Sequence, residues 1–123
     1  MKLTIFHNPQ CSKSRATLAL LREQGHQPEI IEYLKDPPSP ERLDELLHQL
    51  GKEPGEILRT QETAYAEYER SGAGGQDLSR SALLSLMSRH PALIQRPIVT
   101  NGTHAVLGRP PENVLQLLHN PSL

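Results

Sequence analysis

The sequence predicts an α/β fold built as one domain over residues 1–123. Three observations carry that expectation. A β-prone run, a helical stretch of about a dozen residues and a second β-prone run open the chain, the pattern of two parallel strands joined by a helical crossover. A long helical middle follows. Two short β-prone runs flanking Asn-Gly, then a last helical stretch, close it. The order is β-α-β, a helical insertion over about 40–92, then β-β-α.

Each element has its own local reason. "KLTIF" (2–6) is β-prone and ends at the turn-forming "NPQC". "SKSRATLALLREQ" (12–24) reads as a helix, with Gly25 as its stop and Pro28 just beyond. "EIIEYL" (29–34) is the second strand. Ser39 is a candidate N-cap and Pro40 suits a first helical position. Leu43, Leu46, Leu47 and Leu50 then recur at helical spacing up to Gly51. "GEILRTQETAYAEY" (55–68) is a shorter helical pattern, "SGAGG" (71–75) a loop, and "LSRSALLSLMSRHP" (78–91) another helix with Ser79 or Asp77 as cap. "PIVT" (97–100) and "THAVLG" (103–108) form a hairpin about Asn101-Gly102, and "RPPENVLQLLHN" is the closing helix with Pro111 near its first turn.

Composition narrows the function. Hydrophobic residues are 36% and charged residues 22%, as in a soluble globular protein. A net charge of -1 gives no electrostatic footprint for nucleic acid or an anionic membrane. The N-terminal "MKLTIFHNPQ" carries too short an apolar run for a signal peptide or a span. A single cysteine excludes a disulfide framework and fits a reducing compartment, so a cytoplasmic location is expected. No long apolar surface run demands a partner chain, and a monomer is expected. Arginines outnumber lysines 9 to 4, and arginine is the better grip for planar or tetrahedral oxyanions.

That cysteine, Cys11, lies in "HNPQCSKSR" (7–15), where a strand meets a helix N-terminus. Unpaired N–H groups and the positive end of the helix dipole converge there and favour a thiolate. Arg15 stands one turn along, and its charge is expected to favour the thiolate further. His7, at the strand end, is expected to help as a cation or a hydrogen-bond donor. Two readings stand for Cys11: a small buried residue, or a reactive thiolate. The polar flanks of "NPQCSKS" suit the second better. A dithiol of the C-x-x-C type is absent because its second position is Ser14, which cannot resolve a mixed disulfide. Replacement of Ser14 by Ala is therefore expected to be tolerated. A phosphatase-type Cys-x5-Arg loop is absent too, since only three residues separate Cys11 from Arg15. The six histidines are scattered without metal-site spacing, so no metal is expected.

"HNPQCSKSR" resembles the N-terminal signature of the glutaredoxin-coupled arsenate reductase family. "LLHQLG…ILRTQETAY" is similar to that family's middle helices, and "HPALIQRPIVTNGTHAVLGRPPENVLQLL" to its C-terminal half. The likeness runs nearly end to end and is nearest to a short subgroup of the family. It implies a thioredoxin-like fold with a four-stranded mixed sheet. It implies that Cys11 is the nucleophile, that His7 lowers its pKa, and that Arg15 belongs to the signature. Arg59, Arg96 and Arg109 match three arginines that bind arsenate and its product, and Pro97 matches the cis-proline beside the nucleophile. Arg96 and Arg109 are expected near Cys11, with Arg59 reaching in from the helical insertion.

The implied chemistry is reduction of arsenate to arsenite. With one thiol in the chain, an external thiol must complete the two-electron step. The resemblance implies glutathione as co-substrate, glutaredoxin as partner, and no bound cofactor. Two other functions fit the same fold: a redox regulator that binds RNA polymerase, and a glutathione-linked thiol oxidoreductase with another substrate. Ser14 argues against the first, because that regulator uses a C-x-x-C switch.

Overall fold

The computed structural model describes residues 2–59 and 79–119. The loop 71–75, Asp77 and most of the helical pattern 55–68 lie outside the described residues. In chain order the strands and α-helices are β1 (Thr4–His7), α1 (Ser12–Glu23), β2 (Glu29–Glu32), α2 (Pro40–Leu50), α3 (Arg80–Arg89), β3 (Ile98–Thr100), β4 (Ala105–Leu107) and α4 (Val114–His119). They fall into two compact units, one made of 1–36 with 96–123 and the other of 37–95.

The first unit holds a four-stranded sheet in the order β2-β1-β3-β4. β1 runs parallel to β2 and antiparallel to β3, and β3 pairs antiparallel with β4, so the mixed sheet expected from the resemblance is present. Leu3, Ile5 and Val99 pack with Leu18 and Leu21 of α1 and Val114 and Leu117 of α4. Burying these side chains is the main stabilising term for the unit. The pairing of Phe6 with Ile98 carries the residues just before β3 alongside the end of β1, where the cysteine loop starts.

The hairpin differs from the two-residue Asn-Gly turn. The last β3–β4 pair is Thr100 with Ala105, which leaves a four-residue loop, 101–104. The Asn101 side-chain oxygen accepts the N–H groups of Thr103 (2.9 Å) and His104 (2.8 Å), and Thr100 Oγ1 accepts that of Gly102 (3.0 Å). These side-chain acceptors take donors that a tighter turn would have given to the ladder. Gly102 has φ +94, open to glycine at no steric cost. The closing helix also differs at its start: a short 3-10 turn, Pro111–Asn113, precedes α4.

The second unit rests on α2 and α3, whose Leu43, Leu46, Leu47, Leu84, Leu86 and Met87 are buried. Ser39 Oγ caps α2 by accepting the Arg42 N–H (3.1 Å), and Ser79 Oγ caps α3 by accepting that of Ala82 (3.3 Å). The stretch just before the undescribed residues is a 3-10 turn, Pro54–Glu56, and Leu58 makes an isolated antiparallel bridge with Ile94, where a helix was expected. No helix among the described residues is long and apolar enough to cross a membrane.

Candidate active site

Cys11 is the N-cap of α1, with extended backbone (φ -96, ψ 123). That position is usually held by Ser, Thr, Asp or Asn, whose oxygen accepts the N–H of the second or third helical residue. Here a sulfur occupies it and makes no side-chain capping hydrogen bond, but the Ser14 and Lys13 N–H groups of the first turn lower its pKa. The first turn contains no acidic residue that would oppose a thiolate. The loop before it is fastened: Cys11 N–H donates to the Asn8 carbonyl (3.0 Å), and Gln10 N–H to Asn8 Oδ1 (3.0 Å).

Arg96 completes the surroundings of the sulfur. Burial alone would raise the Cys11 thiol. The Ser14 N–H, a hydrogen bond from Arg96, the Lys13 N–H and the Arg96 charge outweigh it, and the thiol lies below its ordinary value. The reciprocal effect acts on Arg96. Burial would lower its pKa, but the hydrogen bond to Cys11 and the attraction of Tyr33 and Cys11 raise it overall. Arg96 directly precedes Pro97, and the Arg96–Pro97 bond is cis, as is Arg109–Pro110.

The other expected residues take different stations. Arg15 is exposed, and its Nη1 donates to the Pro9 carbonyl (2.9 Å), so it stands at the rim of the cysteine loop. The arginine hydrogen-bonded to the sulfur is Arg96, where Arg15 had been expected to supply the neighbouring charge. Arg109 is exposed too, and its Nη1 donates to the Arg96 carbonyl (3.3 Å). Arg59 belongs to the other unit, where its backbone N–H donates to the Leu93 carbonyl (2.7 Å).

His7 is 6% exposed, and its Nδ1 lies 2.6 Å from Ser14 Oγ. Burial, which outweighs the attraction of Glu32, lowers its pKa, with Arg22 and Arg15 adding to the shift. His7 therefore favours the neutral imidazole at pH 7, which argues against the cation and leaves the hydrogen-bonding role of the two expected for it. Among the described residues no cluster of His, Cys, Asp or Glu is suited to a metal ion.

Three residues of this site are given no positive role by the sequence. Ser14 is fully buried, and Asn8 and Tyr33 are 6% and 1% exposed. Tyr33 follows β2 and reads as strand filler, yet its hydroxyl faces Arg96. The assembly can do one thing well: hold a thiolate beside a fixed guanidinium, with further arginine at the rim for an oxyanion.

Comparison with known proteins agrees with this chemistry. The chain is 44% identical over 119 residues to an arsenate reductase of Haemophilus influenzae, covering 96% of this chain and 100% of that one. It is 42% identical over 118 residues to the uncharacterized protein YfgD of Escherichia coli, covering 95% and 97%. A solved arsenate reductase from Vibrio cholerae matches with a TM-score of 0.83 at 48% identity, over 94% of this chain and 97% of that one. The fold is thus thioredoxin-like, as in these neighbours. Residues 6–117 match the ArsC family, and the chain belongs to that family.

Proposed function

We propose that the chain reduces arsenate to arsenite, with Cys11 as nucleophile and glutathione and glutaredoxin as electron donors. The observation that carries this reading is Cys11 at the start of α1, with its thiol lowered by the Ser14 and Lys13 N–H groups and by Arg96. Such a thiolate is a nucleophile already seated in an oxyanion cradle. The arsenate reductases of H. influenzae and V. cholerae, so similar over nearly the whole chain, supply the substrate.

In this reading the Cys11 thiolate attacks arsenic, one arsenate oxygen leaves as water, and a sulfur–arsenic bond forms. A glutathione thiolate then attacks the Cys11 sulfur. The sulfur–arsenic bond breaks with its electron pair left on arsenic, arsenite departs, and a Cys11–glutathione disulfide remains. Glutaredoxin removes the glutathione by thiol–disulfide exchange. Arsenic gains two electrons and two thiols are oxidised. Arg96 and Arg109 balance the oxyanion charge, with Arg15 at the rim. Arg59 enters this reading through the family resemblance alone. No bound cofactor or metal is required, and the protein works as a cytoplasmic monomer.

The test is a coupled assay of the purified protein with arsenate, glutathione, glutaredoxin and an NADPH-dependent glutathione reductase. Arsenite should exceed one equivalent per enzyme only when arsenate, glutathione and glutaredoxin are all present, and thioredoxin should not substitute. Absence of arsenite with folded protein contradicts the reading.

A further inference from the structure

Ser14 has the most demanding environment of any polar residue near the cysteine. It is fully buried, and its Oγ accepts the Asn8 N–H at 3.0 Å while standing 2.6 Å from His7 Nδ1. His7 and Asn8 are each only 6% exposed, so little water competes for these groups. A hydroxyl that accepts one N–H still has its own proton to give. His7 is neutral, so its Nδ1 can take that proton, which leaves the ring proton on Nε2. Three positions are thereby joined through one oxygen: the end of β1, the start of the cysteine loop, and the first turn of α1.

The geometry points to Ser14 as a positioning residue for Cys11, its hydroxyl clamping His7 and Asn8 so that the loop from Asn8 to Cys11 and the first turn of α1 hold the sulfur in register with their N–H groups. The path to the sulfur has two branches, both short. Asn8, held by Ser14 through its N–H, accepts the Cys11 N–H through its carbonyl (3.0 Å). Ser14 is also the third helical residue after the N-cap Cys11, and its backbone N–H is among the groups that lower the thiol. His7 acts through this clamp: its Nδ1 meets the Ser14 hydroxyl, and no bond from it to the thiol is needed. The charged and titratable groups acting nearby are Arg96 on the sulfur, and Glu32, Arg22 and Arg15 on His7. The inference rests on the reading of Cys11 as an activated nucleophile.

The test measures iodoacetamide alkylation of Cys11 against pH, in wild type and in Ser14→Ala, with folding checked by circular dichroism. Neither arsenate nor glutathione is involved. The wild-type midpoint should lie below the ordinary thiol value of about 8.5. In Ser14→Ala it should rise by roughly one pH unit, as the sulfur loses part of its N–H alignment, so the tolerance expected from the sequence gives way to the two partners of the buried hydroxyl. A folded Ser14→Ala with the wild-type midpoint overturns the positioning role and leaves Ser14 a packing residue. A wild-type midpoint at the ordinary value overturns instead the activated nucleophile. Nitrogen-15 NMR of the wild-type His7 ring gives a check that does not depend on the variant folding. A neutral ring with its proton on Nε2 is expected, and a proton on Nδ1 at neutral pH overturns the clamp as drawn.

Discussion

Arg96→Lys is expected to raise the Cys11 thiol toward its ordinary value and to cut arsenate-dependent turnover ten- to a hundredfold. Among the described residues, Arg96 is the side chain that lowers the thiol both by a hydrogen bond and by its charge. Lysine keeps the charge, but as a point on a flexible stem, and loses the planar fork of donors. A charge-assisted hydrogen bond contributes about 1.5–3 kcal/mol, which sets the size of the loss. Arg109→Lys gives the contrast. Its guanidinium is exposed and reaches the Arg96 carbonyl at 3.3 Å, so turnover should fall while Cys11 alkylation stays near wild type. The measurement is the pH profile of alkylation beside steady-state kinetics for both variants. If Arg96→Lys alkylates with the wild-type profile, the guanidinium does not hold the thiolate.

Gly108→Ala is expected to destabilise the protein severely. A Cβ at Gly108 would overlap the Thr17 side chain and come within 2.8 Å of Pro97 Cγ. Neither side can give way. Thr17 is fully buried, with Oγ1 donating to the Lys13 carbonyl (2.7 Å) and approaching the Gly108 carbonyl (3.3 Å). The Gly108 backbone is itself tied by its N–H to the Pro97 carbonyl (2.9 Å). Overpacking of this kind costs about 1–3 kcal/mol or more. For a chain of this size the upper end lowers Tm by roughly 10 °C. Thermal unfolding of Gly108→Ala, Thr17→Ala and the double variant checks it. The double variant should recover part of the loss, since removing the Thr17 atoms relieves most of the overlap. A Gly108→Ala protein that melts with wild type would mean that β4 and α1 do not approach so closely.

The parts of the fold visible in the sequence are those where local and tertiary demands agree. "KLTIF", "SKSRATLALLREQ" and "EIIEYL" combine the right residue types with clear stops, and β1, α1 and β2 lie where they suggest. The hairpin loop was less legible, because the Asn101 side chain captures two N–H groups, a choice that the dipeptide alone does not reveal. The same division holds at the site. Cys11 at a helix start is readable from "NPQCSKSR", because the turn and the polar first turn are both local. The charge beside the sulfur is not local: Arg96, expected near Cys11 from the resemblance, arrives there through β1–β3 pairing, while Arg15 turns back to Pro9. Ser14 reads as a missing thiol, and only its complete burial between His7 and Asn8 gives the hydroxyl a partner on each side. Tyr33 is an ordinary strand-end aromatic until the fold sets it against Arg96.

The central claim is that Cys11 carries arsenic and then glutathione in turn. Mass spectrometry of the wild-type protein, incubated with arsenate and glutathione but without glutaredoxin, tests it most directly. Arsenite and a single glutathione disulfide on Cys11 should form together, only when arsenate is present, and Cys11→Ser should give neither. Arsenite released with Cys11 unmodified, or arsenite formed by Cys11→Ser, would contradict the account.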